Sequence, residues 1–196
     1  MPLRARLSER LGVSPASVSE TVQRLVGRGL VRLEDDRSLG LTTDGRDLAV
    51  SIVRRHRLAE RLLVDVIGLE WEKVHREAAR WEHAISADVE EKLVALLGDP
   101  ATCPHGTPIP GTKRQPSGRS GMRLSDAPPG RISVTRISES LELDDDALVM
   151  LADARLIPGC AASVVAQHEG AVQVETPTGV VSIPRPVASQ LWVTAA

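Results

Sequence analysis

In "LRARLSERL", Leu3, Leu7 and Leu11 recur every four residues, the spacing of one face of an amphipathic helix. Gly12 suits the end of that helix, and Ser14 followed by Pro15 reads as an N-cap and first helical position. The next stretch, "PASVSETVQRLVGRG", predicts a second helix that buries Val18, Val22 and Leu25 and ends at Gly29. Its opposite face is polar: Ser17, Ser19, Glu20, Gln23 and Arg24. "LVRLEDDRSLGLT" then places two short β-like runs around a turn-rich tip bearing Arg37. Helix, turn, helix and hairpin is the layout of a winged helix, whose second helix enters the major groove and whose wing touches the backbone. The plainer alternative is any small helical domain with a hairpin.

From Thr43 the pattern turns helical. "TDGRDLAVSIVRRHRLAERLLVDVIG" and "EWEKVHREAARWEHAISADVEEKLVALLG" are long and amphipathic, separated by a break at Gly68. Together they carry more apolar face than so short a region needs for itself, which points to a subunit interface, with an ordinary core as the alternative. Residues 99–130 are dense in Pro and Gly, without periodicity, and read as a linker. Within them "TPIPG" suits an extended peptide docked on a partner surface. From Arg131 onward "RISVTRI", "CAASVVAQ", "AVQVETP" and "GVVSIP" predict a small all-β module.

Composition narrows this reading. The 196 residues carry a net charge of −2, yet residues 1–60 hold 11 Arg against 8 acids, so the basic surface is local. Cys103 and Cys160 form neither a CxxC pair nor a disulfide framework. No apolar run reaches the roughly 18 residues that span a bilayer, and Arg4, Arg6 and Arg10 interrupt any signal peptide. A reduced, cytoplasmic protein with no membrane partner is expected. With no Tyr or Phe and three Trp, its cores must be aliphatic.

Candidate chemistry lies in "KVHREAARWEHA", residues 73–84. Read as one helix, it puts His75, Ala79, Glu82 and His83 on one face. His75 and His83 would be about 12 Å apart along the axis, and one ion held at about 2.0–2.1 Å from each nitrogen cannot take both. The face therefore divides into two half-sites, His75 at one end and Glu82 with His83 at the other. "RHRLAERLL" carries His56 and Glu60 at i, i+4. Packed antiparallel, these would join His75 as a His₂Glu set that suits Fe(II), Mn(II), Co(II), Ni(II) or Zn(II). A solvated face or a plain His–Glu hydrogen bond is the alternative for either pair alone.

The stretches "PLRARLSERL", "SVSETVQRL", "GLVRLEDDRSLGLTTDGR", "HRLAERLLVDVIGLEWEKVHREAARWEH" and "HGTPIPG" resemble the iron-dependent repressors of the diphtheria toxin repressor type. They cover residues 2–111 almost without gaps; the C-terminal third matches weakly, mainly through "LADARLIPG". The resemblance implies a mainly α fold with a small β module. Residues 1–46 would form a winged helix-turn-helix domain, 47–117 a helical metal-binding and dimerisation domain, 118–130 a Pro/Gly-rich linker, and 131–196 an SH3-like β-barrel domain. It places His56, Glu60 and His75 in the family's ancillary metal site, with Asp144 as a carboxylate from the β domain, and Glu82 and His83 in its primary, activating site. Ala79 stands where the family has a Cys ligand, and Ala147 replaces a further ligand. A first helix that precedes "PLRAR" in the family has no counterpart after Met1, whether through a misplaced start or divergence. Ser14, Ser17 and Ser19 match positions that meet phosphate or base; Arg4, Arg24 and Arg37 match phosphate contacts. Glu20 replaces a Gln of the recognition helix, and a carboxylate there can accept from cytosine N4.

The expected protein is a dimeric, metal-activated repressor that binds operator DNA, with Fe(II) preferred because manganese-type relatives lack the linker and β module. The alternatives are a metal-insensitive or DNA-defective paralogue, a metal-storing or interaction module, and a metallohydrolase. Against the last, no HExxH or nucleophile motif stands out. Contact between the Pro-rich linker and the β domain is a further expectation.

Overall fold

The computed structural model describes residues 4–36, 38–114 and 121–196, with side chains from residue 6 onward. Two compact units divide it, Met1–Ile52 and Val53–Ala196.

The first unit follows the expected order. Helix α1 (Arg4–Leu11) leads to α2 (Pro15–Gly27), then to strands β1 (Val31–Leu33) and β2 (Leu39–Leu41). Ser14 caps α2, its hydroxyl accepting from the Ser17 amide at 3.2 Å. The strands pair antiparallel, Val31 opposite Leu41. At the tip, the Ser38 amide donates to the Asp36 carboxylate at 2.9 Å. Val18, Val22 and Leu39 form the core, with Leu7 and Val31 packed against it. Leu25 is only half-buried and Leu11 is exposed, so the leucine stripe of α1 is partly used within this unit. Thr42 closes the unit: its hydroxyl donates to the Gly29 carbonyl at 2.7 Å and accepts from the Gly45 amide at 3.0 Å. Helix α3 (Thr43–Leu62) starts there.

In the second unit, α3 gives way to a π-helical turn, Leu63–Ile67, ended by Gly68 in the left-handed conformation. A 3₁₀ turn, Trp71–Lys73, feeds α4 (Val74–Trp81), and Ser86 caps α5 (Ala87–Leu97). Leu58, Ala59, Leu63, Val74, Ala78, Ile85, Leu93 and Ile109 make their core. Helix α4 stops at Trp81, so the single helix expected over residues 73–84 is not formed. Glu82 and His83 lie in the turn that follows.

Residues 101–111 are not a slack linker. Cys103, His105 and Ile109 are buried, Thr102 bridges Pro108, and the Ile137 amide donates to the His105 carbonyl at 3.0 Å. "TPIPG" is held by α3, where Arg57 donates to the Pro108 carbonyl at 2.5 Å and Arg54 to that of Pro110.

The β domain begins earlier than Arg131, at β3 (Met122–Arg123), within the stretch expected as linker. The remaining strands are β4 (Gly130–Ile137), β5 (Ala161–Gln167), β6 (Ala171–Thr176), β7 (Gly179–Pro184) and β8 (Leu191–Ala195). All pairs are antiparallel, in the order β3-β8-β4-β5-β6-β7. Register shifts between Val134 and Arg136 and between Val164 and Ala166 bend this SH3-like sheet; among the described residues no pairing joins β7 to β3. The module is not all-β. Helix α6 (Asp145–Asp153) and the short α7 (Arg185–Ala188) are part of it. Leu148 and Leu151 of α6 enter the β-domain core, and so does Trp71 from the helical part. Among the described residues no helix is long and apolar enough to cross a membrane.

Gly106 sets how closely the 101–111 segment meets the sheet. Its φ is +84°, and a Cβ there would sit 2.0 Å from the Thr135 carbonyl oxygen and 2.6 Å from Arg136 Cα. Both the left-handed backbone and backbone crowding oppose a side chain. Gly106→Ala should therefore destabilise the protein by about 2–4 kcal/mol, the sum of a left-handed penalty and overpacking. Urea unfolding checks this; a loss under about 1 kcal/mol, the left-handed penalty alone, would mean the segment moves aside freely.

Candidate metal centre

Helix α3 presents His56 and Glu60 one turn apart, as their spacing requires. The first turn of α4 brings His75 against them. His56 Nε2 and His75 Nδ1 are 3.0 Å apart, and each is 3.1 Å from the same oxygen, Glu60 Oε1. The expected His₂Glu set is thus assembled, its ligand atoms all within 4.8 Å of one another.

The expected carboxylate from the β domain is Asp144, but the one that meets His75 is Glu142. Glu142 sits in the 3₁₀ turn Leu141–Leu143, and its Oε2 is 3.0 Å from His75 Nδ1. Asp144 is two residues too far along. It is the N-cap of α6, its Oδ1 accepting from the Ala147 amide at 3.1 Å. A capping carboxylate is committed to a helix start. Ala147 is buried beside it as core.

Two further groups come from the 101–111 segment. Glu60, Cys103 and His105 form a second triad within the same 4.8 Å limit, so Glu60 belongs to both. His105 Nδ1 is 3.3 Å from Glu60 Oε1 but is not aligned for a hydrogen bond. Trp71 fixes this segment: its indole donates to the Pro104 carbonyl at 3.0 Å, and its ring meets His105 edge-on at 4.7 Å. Helical or strand periodicity does not mark Cys103 or His105, because the Pro and Gly around them erase it. "CPHG" was nevertheless a readable signal, since Cys and His two residues apart are metal-ligand types.

Glu60 is wholly buried and Glu142 nearly so. Glu60 Oε2, Glu142 Oε1 and both ring nitrogens of His105 lack hydrogen-bond partners. Such orphaned buried groups are costly unless something else satisfies them. Burial acts against the ionised Glu60, but the imidazoles of His105, His56 and His75 outweigh it and hold its carboxyl well below the usual range. Burial likewise acts against a charged His75, yet bonds to Glu142 and Glu60 push it up to about 10. His56 is raised too, burial being overcome chiefly by Glu60. Burial, then the charges of Glu60 and Glu142, push the Cys103 thiol well up. Two carboxylates, three imidazoles and a thiol, with unsatisfied oxygens and nitrogens facing inward, fit a divalent cation.

The other half-site is not assembled in this way. Glu82 turns inward, its Oε2 2.7 Å from His56 Nδ1, whereas His83 is 70% exposed with Nε2 3.4 Å from Glu82 Oε1. Ala79 is exposed. Neither triad that the geometry brings together among the described residues includes Glu82 or His83.

Of the residues expected to meet DNA, Ser14, Ser17, Glu20 and Arg24 are exposed along α2, and Ser19 is half-buried. Arg37 and the side chain of Arg4 lie outside the described residues.

The N-terminal DNA-binding domain model of iron-dependent repressors matches residues 1–39, their metal-binding and dimerisation domain model matches 42–111, and the FeoA domain model matches 122–195. The iron-dependent repressor IdeR of Mycobacterium tuberculosis is 45% identical over 186 residues, covering 90% of this chain and 81% of that protein. The diphtheria toxin repressor of Corynebacterium diphtheriae is 44% identical over 172 residues, covering 84% and 76%. A solved manganese-dependent transcriptional repressor in complex with manganese superposes with a TM-score of 0.80 at 34% identity, over 98% of this chain and 90% of its own. With its metal-ligand cluster assembled on the matched helical domain, the chain belongs to the family of iron-dependent repressors.

Proposed function

We propose that this protein is a metal-activated transcriptional repressor that binds operator DNA as a homodimer, with Fe(II) as its activating ion. The observation that carries this reading is the buried Glu60 carboxylate, ringed by His56, His75 and His105 and joined by Glu142, with acceptor atoms left unsatisfied. Buried acceptor atoms left without partners are costly, and a cation would satisfy them. Family membership makes the metallohydrolase alternative untenable, because the relatives are repressors by name.

His56, Glu60, His75 and Glu142 would hold the ion, with Cys103 and His105 as further donors through the shared Glu60. The bound ion supplies positive charge that replaces the protons on His56 and His75. Glu142 stands at the β-domain end of the cluster, so the charge it meets ties the helical part to the sheet. For a full switch, the DNA-competent state must bind the ion better than the relaxed state by about 5.5 kcal/mol. Iron is favoured by the higher identity to IdeR. The β domain itself does not select iron, since the manganese-dependent relative spans 98% of this chain.

Helix α2 would enter the major groove. Ser14, Ser17 and Ser19 would meet phosphate or base, Arg4, Arg24 and Arg37 phosphate, and Glu20 would read a base edge. Exposed apolar residues on the helical part, Val66, Ile67, Val89 and Leu96, suit a subunit interface.

Fluorescence anisotropy on promoter DNA at fixed salt should show tight binding with Fe(II) or Co(II) and loss of binding with chelator. Glu60→Ala should abolish the metal response; a Glu60→Ala protein that still responds tenfold to metal would sink the reading. Arg24→Ala should weaken binding to all sequences alike and lower the salt slope by about 0.9.

Protons and metal compete for the same atoms, and the sign of each effect follows. His75 and His56 are raised in the folded state, so their stabilisation is full below the ordinary value of 6.5 and is lost as pH rises toward about 10 for His75. Glu60 is depressed, so its contribution is present above 4.5 and lost as pH falls through its lower folded value. Metal-free protein should therefore melt at progressively lower temperature from pH 6.5 to 10, while metal affinity rises over the same window. Calorimetric melts in chelator check this, and His75→Gln should flatten the slope.

A further inference from the structure

Glu82 meets the metal cluster from behind. Its Oε2 is 2.7 Å from His56 Nδ1, while the other ring nitrogen, Nε2, faces Glu60 Oε1 at 3.1 Å and His75 Nδ1 at 3.0 Å. An imidazole has one proton to place when neutral, and the partner of one nitrogen decides the state of the other. Carboxylates only accept, and Nε2 faces one too, in Glu60; when a cation takes the place of the proton on Nε2, Glu82 keeps the other proton on Nδ1 and the Nε2 lone pair is directed into the cluster. The pair is largely withdrawn from water, with side chains 13% and 17% exposed. A short, charge-assisted bond in such surroundings is among the stronger hydrogen bonds a protein makes.

The surroundings of Glu82 offer little for an ion of its own. Helix α4 ends at Trp81, which swings His83 out to 70% exposure. His83 Nε2 lies 3.4 Å from Glu82 Oε1, and Ala79, one turn earlier, has no donor in its side chain. We infer that Glu82 is a positioning residue in this chain: it fixes the tautomer and orientation of His56 for the cluster of His56, Glu60, His75 and Glu142, and is not a ligand of a separate metal site. The inference rests on the metal centre proposed above. Histidine ligands whose far nitrogen is held by a carboxylate lose about 10–100-fold in metal affinity when that carboxylate is removed.

Co(II) titration of the full chain, followed by visible absorption, distinguishes the possibilities. The parent should bind one tight Co(II) per chain, lost in Glu60→Ala. Glu82→Ala should keep that stoichiometry and bind about 10–100-fold more weakly. Glu82→Gln, whose amide oxygen still accepts from Nδ1–H, should recover to within a few-fold of the parent with an unaltered spectrum, which a general packing defect would not predict. In Zn(II)-loaded protein, nitrogen-resolved NMR should show the His56 Nδ1–H of the parent and of Glu82→Gln, and its loss in Glu82→Ala. A second Co(II) equivalent that disappears in Glu82→Ala while the tight one is unchanged overturns the inference and leaves the metal centre standing. Unchanged affinity in Glu82→Ala overturns it as well. Parent-like Co(II) binding in Glu60→Ala instead removes the metal centre, and this inference with it.

Discussion

A carboxylate with no access to water sits at the centre of the second unit, and the fold is arranged to make Glu60 tolerable there. Isolated, a buried charge of this kind costs several kcal/mol. Four separated segments supply what it needs: His56 from its own helix, His75 from the next, His105 from the buried Pro-rich segment and, across His75, Glu142 from the β domain. The π-helical turn directly after α3, the edge-on packing of Trp71 on His105 and the close backbone approach at Gly106 all serve to deliver these groups. Packing alone would not require them, since the flanking cores are ordinary aliphatic clusters.

Without a cation the balance falls to protons. Two carboxylates face imidazoles that hold protons more firmly than free histidine does, His75 up to about 10. A cation entering this cluster would displace the same protons, so its binding would depend on pH. The unpartnered atoms of Glu60, Glu142 and His105 mark how far protons fall short as a substitute. A proton satisfies one lone pair, while a cation collects several at once.

Local features were legible in the sequence and long-range ones were not. His56 and Glu60 share a helix face by spacing, and an amphipathic partner helix carrying His75 needed only antiparallel packing to complete the triad. The helix-turn-helix announced itself through Ser14, Pro15 and the Val18–Val22 stripe, because caps and periodicity are properties of neighbouring residues. Glu142 was hidden by its surroundings. "LELDDD" reads as alternation with a solvated acidic run, but in a 3₁₀ turn Leu141 and Glu142 both go inward while Leu143 is 72% exposed. Asp144, directly before "DDALVML", is an N-cap, and that local signal also marks the start of α6. His83 lies beyond the last residue of α4. Helical periodicity was extended past Trp81, where the chain already turns.

The shared position of Glu60 has a consequence for the choice of ion. Cys103 is kept as a thiol by burial and by the charges of Glu60 and Glu142. His75 is kept protonated by those same two carboxylates. Neutralising the carboxylates therefore acts on both groups in one direction, releasing the proton from His75 and drawing Cys103 toward thiolate. With an oxygen-preferring ion the first change suffices, and the imidazole–carboxylate set stands alone. A softer ion would favour a thiolate, and Glu60, Cys103 and His105 lie close enough together to offer one in a second triad.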